Sequence, residues 1–440
     1  MKHMDNPLGD YEEKGINSFH IKAMFLAGAG QITDGYDLTA GALVLSMVLS
    51  YLRLNLESVS IVLFASIISG NIVGALLFGY LARRGRTKFY GIDALLMIIG
   101  ALLQAFISTP IELAIARFIL GIGIGADYVL SPLLMAEYSN RRDRGKLLGI
   151  SGGFMWMFGA LLSTLATLLI INILPSSLVW RVVLASGAIP SIFVLYERTK
   201  MPETPHYLAF VKGDARTLKE KYGLTVKTIP KGYKRLTARM VLYLIIAAAC
   251  WYLYDVIGYS QGFFGPNVIA NYLGVNGIIF NLIVISAFSL PFNFIGAFLS
   301  DGILGRRVLQ SIGFLGMGLP LFIFAYVGSK NVMVDLLMFG LSNAFNSLGP
   351  GNIIGYWGVE LFPANVRGFT QGITVIGGRL GVITTTLLFP ILLNSLGILP
   401  VMIILGILGI LGSGLTLILE EPRGKSLVER EISVVDGISK

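Results

Sequence analysis

Four aspartates set the chemical problem of this chain. Asp34 and Asp37 lie in the stretch GAGQITDGYDL, from Gly28 to Leu38; Asp127 follows GIGIGA, and Asp255 sits in WYLYDVIGY. Each is deep within an apolar segment long enough to cross a bilayer. A carboxylate at membrane centre costs about 2.5 to 3.5 kcal/mol on insertion scales, so such residues face a bundle interior or a wet cavity and mark function. A carboxylate that alternates between a dry cavity and water can load a proton on one side of a membrane and release it on the other. Asp34 and Asp37 are three residues apart, share a helix face, and are expected to titrate as a coupled pair. Trp251, Asp255 and Tyr259 recur every four residues and form one stripe on a helix, which suits a solute that is both stacked and hydrogen-bonded. The same stripe could be plain packing.

The elements that position these groups follow from composition. Of 440 residues, 55% are hydrophobic and only 13% charged, against about 25% charged in soluble domains. This is a polytopic membrane protein, and its 53 glycines suit close helix packing in lipid. Cys250 is the single cysteine, which excludes an intramolecular disulfide or thiolate cluster. His3, His20 and His206 have no ligand spacing, so no metal or other cofactor is expected. The N-terminal MKHMDNPLGDYEEKG mixes acids with its few bases and does not read as a signal peptide. No GxxxxGK[ST] loop and no Ser/His/Asp arrangement is present, so neither ATP-driven transport nor an enzyme is indicated.

Windows of about twenty apolar residues give twelve spans. The first six run over 21–50, 58–82, 89–108, 110–135, 146–173 and 182–196; the second six over 239–272, 277–300, 308–327, 334–357, 368–394 and 399–419. The domains expected are a cytoplasmic segment at 1–20, a six-helix bundle at 21–199, a cytoplasmic loop at 200–238, a second bundle at 239–419 and a tail at 420–440. Arg83, Arg84, Arg86 and Lys88 follow span 2, Arg141, Arg142 and Arg144 follow span 4, and Arg306 and Arg307 follow span 8. The central loop adds Lys212, Arg216, Lys219, Lys221, Lys227, Lys231, Lys234 and Arg235, while the opposite loops are nearly uncharged. The positive-inside rule then places both termini in the cytoplasm of a plasma-membrane protein. Bases that alternate with spans also dispose of a nucleic-acid partner, despite the net charge of +9.

An internal repeat divides the chain. AEYSNRRDRG after span 4 matches VELFPANVRG after span 10, and GYLARRGRTK after span 2 matches GAFLSDGILGRR after span 8. These loops, with PETPHYL at Pro202 to Leu208 and EPRGKSLVE at Glu421 to Glu429, resemble the signature segments of the major facilitator superfamily and its sugar porters. The resemblance implies an all-α membrane protein of twelve transmembrane helices in two pseudo-symmetric six-helix bundles, acting as a monomer by alternating access. Ala82 departs from it, standing where an aspartate is usual. Glu137, Arg144, Glu360 and Arg367 read as a cytoplasmic gate made of the pairs Glu137/Arg144 and Glu360/Arg367, with Arg86 and Asp301 beside them.

TDGYDL, GIGIGADY, WYLYDVIGY and SLGPGN resemble the phosphate:proton symporter branch, and DGYD is equally similar to aromatic-acid:proton symporters. The resemblance implies that spans 1, 4, 7 and 10 line a cavity, that Asp34, Asp37 and Asp127 couple protons, and that Tyr128, Trp251, Asp255 and Tyr259 contact the solute. Asn346 and Asn352 of span 10 and Arg379 of span 11 complete the expected solute set. Span 5 departs with GGFMWMFG in place of a binding glutamine, GPGN shifts Asn352 by one position, and Arg379 replaces a lysine. Arg117 in span 4 could pair with an acid. The function implied is proton-coupled symport of a small polar solute, inorganic phosphate or a related anion first. A sugar or an organic or aromatic acid is the alternative, and a non-transporting nutrient sensor is the reading from another class.

Overall fold

The computed structural model describes residues 6–225, 236–327 and 331–431. His3, the central-loop bases Lys227, Lys231, Lys234 and Arg235, and the last residues of the tail lie outside the described residues. Helices make up the architecture, with no strand among the described residues. The first six helices of the bundle are α1 (Ser18–Leu43, continued by Leu45–Leu52), α2 (Leu56–Arg84), the shorter α3 (Ile92–Leu103), α4 (Pro110–Tyr138), α5 (Arg144–Ile171) and α6 (Ser176–Thr199). The second six are α7 (Ala238–Tyr272), α8 (Gly277–Leu299), α9 (Gly305–Val327), α10 (Val332–Glu360), α11 (Ala364–Leu396) and α12 (Ile398–Thr416).

Local chemistry sets their ends. Asn17 caps α1 by accepting from the backbone N–H groups of Phe19 and His20, and Thr109 with Glu112 forms a capping box on α4, with Pro110 in the first turn. Two helices differ from the expected spans. α1 bends by 58° after Leu43 instead of running straight to Ser50, and the amide of Asn267 on α7 donates to the Ala42 carbonyl at the bend, 2.7 Å away. α3 is only 12 residues long because Gly91, at φ +116°, starts it late and the chain turns after Leu103, bringing Gln104 into the core. There Gln104 accepts from Arg117 at 2.9 Å.

Small residues draw the helices together. A Cβ on Gly70 or Gly74 of α2 would lie 2.1 Å from a carbonyl oxygen of α4, and one on Gly121 or Gly125 of α4 would lie 2.0 Å from a carbonyl oxygen of α2. The two backbones therefore touch, as small-residue crossings in lipid require. The outer surface is apolar, with exposed side chains such as Phe25, Phe193 and Ile245, as expected where hydrocarbon is the solvent.

At the basic end a second, smaller core joins distant parts of the chain. Leu8 and Tyr11, Leu208 and Leu218, and Val428 pack together. Glu12 sits at its polar edge and accepts from Asn6 at 3.0 Å, from the backbone N–H of Leu427 at 3.1 Å and from the Ser426 hydroxyl. His206 Nε2 lies 3.3 Å from the same carboxylate, while its Nδ1 faces the Glu137 carbonyl at 3.1 Å.

Candidate functional site

A cavity of about 150 Å³ lies between α1, α4 and α5 of the first half and α7, α8, α10 and α11 of the second. All seven residues expected around the solute line it: Tyr128, Trp251, Asp255, Tyr259, Asn346, Asn352 and Arg379. Arg379 is their hub. Its Nη1 donates to Asp255 Oδ2 and to the Tyr259 hydroxyl, each at 3.2 Å, and its guanidinium lies 4.2 Å from the Tyr128 ring centroid. A buried arginine is tolerable only with such partners, and the aromatic face adds a cation–π attraction of roughly 1 to 2 kcal/mol. Arg379 Nε and Nη2 and Asp255 Oδ1 have no hydrogen-bond partner within the protein.

Asn352 has a further duty. Its amide donates to the carbonyls of Asn293 at 2.6 Å and Ser347 at 3.0 Å, so it braces the break in α10 at Gly349 and Pro350. The break itself serves a close approach, because a Cβ on Gly349 would lie 2.6 Å from Gly313 of α9. Only the carbonyl of the Asn352 amide is left without a protein partner.

The three aspartates expected to couple protons separate into three environments, and none is itself a cavity-lining residue. Asp34 stands behind the wall, where Oδ2 accepts from the Tyr128 hydroxyl and the Trp156 indole N–H, each at 2.7 Å. Asp37 pairs with Arg117 at 3.0 Å and accepts from Gln104 at 3.4 Å. Asp34 and Asp37 share a face of α1 but not their hydrogen-bond partners, since Arg117 of α4 and Gln104 draw the second acid to themselves. Asp127 pairs with Arg198 at 2.8 Å and accepts from Ser131 at 2.7 Å and Gln31 at 3.1 Å. Arg198 also holds Asp93 at 2.5 Å.

At the basic end the expected ion pairs are exchanged. Arg144 reaches Glu360 at 2.7 Å and Arg367 reaches Glu137 at 2.6 Å, in place of the pairs Glu137/Arg144 and Glu360/Arg367 within each repeat. The cause is the turn between each pair, which carries the arginine onto the next helix and against the other half. Arg86 joins Glu137 at 3.2 Å and Arg306 joins Glu360 at 3.0 Å. Asp301 accepts from Arg306 at 2.7 Å and from the backbone N–H of Lys146 at 2.6 Å, a link that Ala82 cannot provide in the first half. Ala82 instead packs against α11, where a Cβ on Gly368 would lie 2.7 Å from the Ala82 Cβ. Glu203 accepts from the Arg86 N–H at 2.9 Å, and Glu421 from those of Arg306 at 3.1 Å and Arg307 at 2.9 Å, so the two end-of-half motifs do the same work.

Residues outside the expected set complete these clusters. Trp156 is visible in the sequence only as a departure in GGFMWMFG, Arg306 only as a base beside a span, and Arg198 carries no signal of its own. Asn293 of α8 lines the cavity with both amide atoms free of protein partners; an amide inside an apolar run was its one signal.

A twelve-helix bundle with buried charge clusters around a central cavity defines a membrane transporter. The chain belongs to the sugar (and other) transporter family, whose pattern it matches over residues 16–428. It is 28% identical to the probable inorganic phosphate transporter 1-7 of Arabidopsis thaliana, over 93% of this chain and 92% of that one. It is 26% identical to the putative metabolite transport protein YaaU of Escherichia coli K12, over 98% and 99%. Among solved structures, the major facilitator proton:xylose symporter XylE bound to 6-bromo-6-deoxy-D-glucose superposes with a TM-score of 0.81 at 23% identity, over 95% of this chain and all of that one. The fold is the major facilitator fold.

Proposed function

We propose that the protein carries inorganic phosphate or a related small anion together with protons, by alternating access. It works as a monomer in the lipid bilayer of the plasma membrane, with both termini in the cytoplasm. The observation that carries this reading is Arg379, a buried guanidinium on the cavity wall that keeps Nε and Nη2 free of protein acceptors, since a guanidinium fork matches an oxyanion. Charge balance supports proton coupling: Asp255 and Asp34 already exceed Arg379 by one negative charge, and an anion adds another, which co-bound protons offset. The phosphate transporters among its relatives and the proton symport named for XylE point the same way. Asp34, Asp37 and Asp127 are assigned to proton transfer, and the seven lining residues to the solute. The crosswise Arg–Glu pairs, with Arg86 and Asp301, form the cytoplasmic gate between bundles 21–199 and 239–419.

Uptake into proteoliposomes under an imposed inward proton gradient tests the reading with labelled phosphate, xylose and benzoate. Phosphate is expected to accumulate against its gradient. Accumulation of xylose without phosphate would overturn the anion assignment, and accumulation of benzoate without phosphate would replace phosphate with an organic acid as the solute. The sugar reading is favoured by one feature, the uncharged amides of Asn293, Asn346 and Asn352 on the wall, which suit hydroxyl groups.

A further inference from the structure

The indole of Trp156 links the cavity to the carboxylate behind it. Trp156 is a cavity-lining residue and Asp34 is not, yet the indole N–H donates to Asp34 Oδ2 at 2.7 Å. The Tyr128 hydroxyl donates to the same oxygen at 2.7 Å. These two donors differ in kind. A phenol can turn and accept a hydrogen bond, whereas an indole N–H can only donate. An ionised Asp34 can accept from both. Once Oδ2 carries a proton it has less capacity to accept, and Tyr128 can take the new O–H, but Trp156 cannot.

The backbone that carries the indole is fixed against α1, so the N–H can change partner only by rotation of the side chain. A Cβ on Gly35, next to Asp34, would lie 2.0 Å from the Trp156 carbonyl oxygen, so the backbones of α1 and α5 touch at this level. The ring meets Tyr259 edge-on, with centroids 6.3 Å apart. Trp156 thus stands between the proton site and the solute stripe of α7.

We propose that Trp156 is a positioning residue whose N–H serves Asp34 when that acid is ionised and turns to the solute when it is protonated. Proton binding thereby supplies a hydrogen-bond donor to the cavity, and by linkage the solute favours the protonated state. The inference rests on the assignment of Asp34 as a proton site. Other charged or titratable groups face Asp34: Asp37 from its own helix, Arg117 and Tyr128 from α4, Tyr254, Asp255 and Tyr259 from α7, and Arg379 from α11. Asp34 alone receives the indole N–H.

The test needs no solute. Intrinsic tryptophan emission of the purified protein is followed between pH 4 and 9 for the wild type, Trp156→Phe and Asp34→Asn. A step is expected in the wild type and is expected to vanish in both variants. No step in the wild type, a step kept in Trp156→Phe, or a step kept in Asp34→Asn would each overturn the inference. Thermal unfolding identifies a variant that has not folded; if Trp156→Phe fails, Trp156→Gln, which retains an amide donor, takes its place and is likewise expected to lose the step, and if Asp34→Asn fails, Asp34→Ser takes its place with the same expectation, a full step in either replacement overturning the inference. A second readout is the affinity for labelled phosphate: about tenfold tighter at the acidic end in the wild type, and within about threefold across the range in Trp156→Phe. Concentrative uptake by Asp34→Asn would instead remove the proton-site assignment itself, whatever the emission shows.

Discussion

Arg144 donates to Glu360 at 2.7 Å, across the boundary between the two halves of the chain. With Arg367 and Glu137 at 2.6 Å it makes a crossed pair of bonds. Crossed bonds predict which residues are energetically coupled. In double-mutant cycles read by thermal unfolding, Arg144 and Glu360 are expected to couple by roughly 1.5 kcal/mol or more, and Arg144 and Glu137 by under about 0.5 kcal/mol. Equal coupling of Arg144 to both glutamates would contradict the crossed arrangement.

Asp34 and Asp37 should behave differently on amidation. Asp37→Asn leaves Arg117 buried opposite a neutral group, and breaking such a pair costs about 3 to 5 kcal/mol. A marked loss of thermal stability is expected. Asp34→Asn keeps an oxygen for Trp156 and Tyr128, so stability is expected to change by less than about 1 kcal/mol, while gradient-driven accumulation is lost and solute exchange survives. Unchanged concentrative uptake in Asp34→Asn would refute the proton role.

Arg379→Lys tests the anion hub. A lysine retains the charge but has no Nε and Nη2 left to offer a solute once its one nitrogen holds Asp255 and Tyr259, so solute affinity is expected to fall about 10- to 100-fold, the equivalent of one or two charge-assisted hydrogen bonds. Asp255→Asn and Tyr259→Phe should weaken binding as well. Wild-type affinity in all three would remove α7 and α11 from the site.

The Glu12 cluster predicts an acid limit for the basic end. Burial alone would raise this carboxyl, but hydrogen bonding and charge from His206, with the Ser426 and Asn6 donors, hold it down to about 2. A depressed carboxyl contributes stability fully above its ordinary value of about 4.3 and loses it as pH falls toward 2. Hydrogen exchange in residues 8–12, corrected for intrinsic rates, should therefore be flat from pH 7 to about 4.5 and rise below that. Glu12→Gln should show the raised exchange already at pH 7, and exchange rising between pH 7 and 5 in the wild type would contradict the assignment.

Gly35→Ala places a methyl group 2.0 Å from the Trp156 carbonyl oxygen. Backbone cannot yield as a side chain can, so the expected cost is about 1 to 3 kcal/mol, read as a lower unfolding temperature. A neutral outcome would mean that α1 and α5 are further apart than described.

The spans, the repeat and the cavity-lining residues are legible because each rests on a one-dimensional pattern: apolar run length, matched loops, or a stripe at four-residue spacing. Trp251, Asp255 and Tyr259 fall together on the cavity wall for that reason. Partner choice was not legible. The spacing of Glu137 and Arg144 suggests a local pair, yet the turn between them hands the arginine to Glu360. Likewise, three residues separate Asp34 from Asp37, but their partners arrive from 80 or more positions further along, Tyr128 and Trp156 for one and Arg117 for the other. Arg198, five residues before Glu203 of the end-of-half motif, carries no pattern that marks it in the sequence, yet it joins Asp93 and Asp127 in the core.

The small core at Leu8, Leu218 and Val428 has a consequence for the order in which the molecule is made. Its first members leave the ribosome at the start of synthesis and its last only after α12. Until then Glu12 lacks its donors Ser426 and Leu427, so this cluster is completed last and closes the largest loop in the chain. Assembly of the basic end is thus finished late, and a chain cut just after Thr416 would keep Glu12 beside His206 but leave it without its two tail donors.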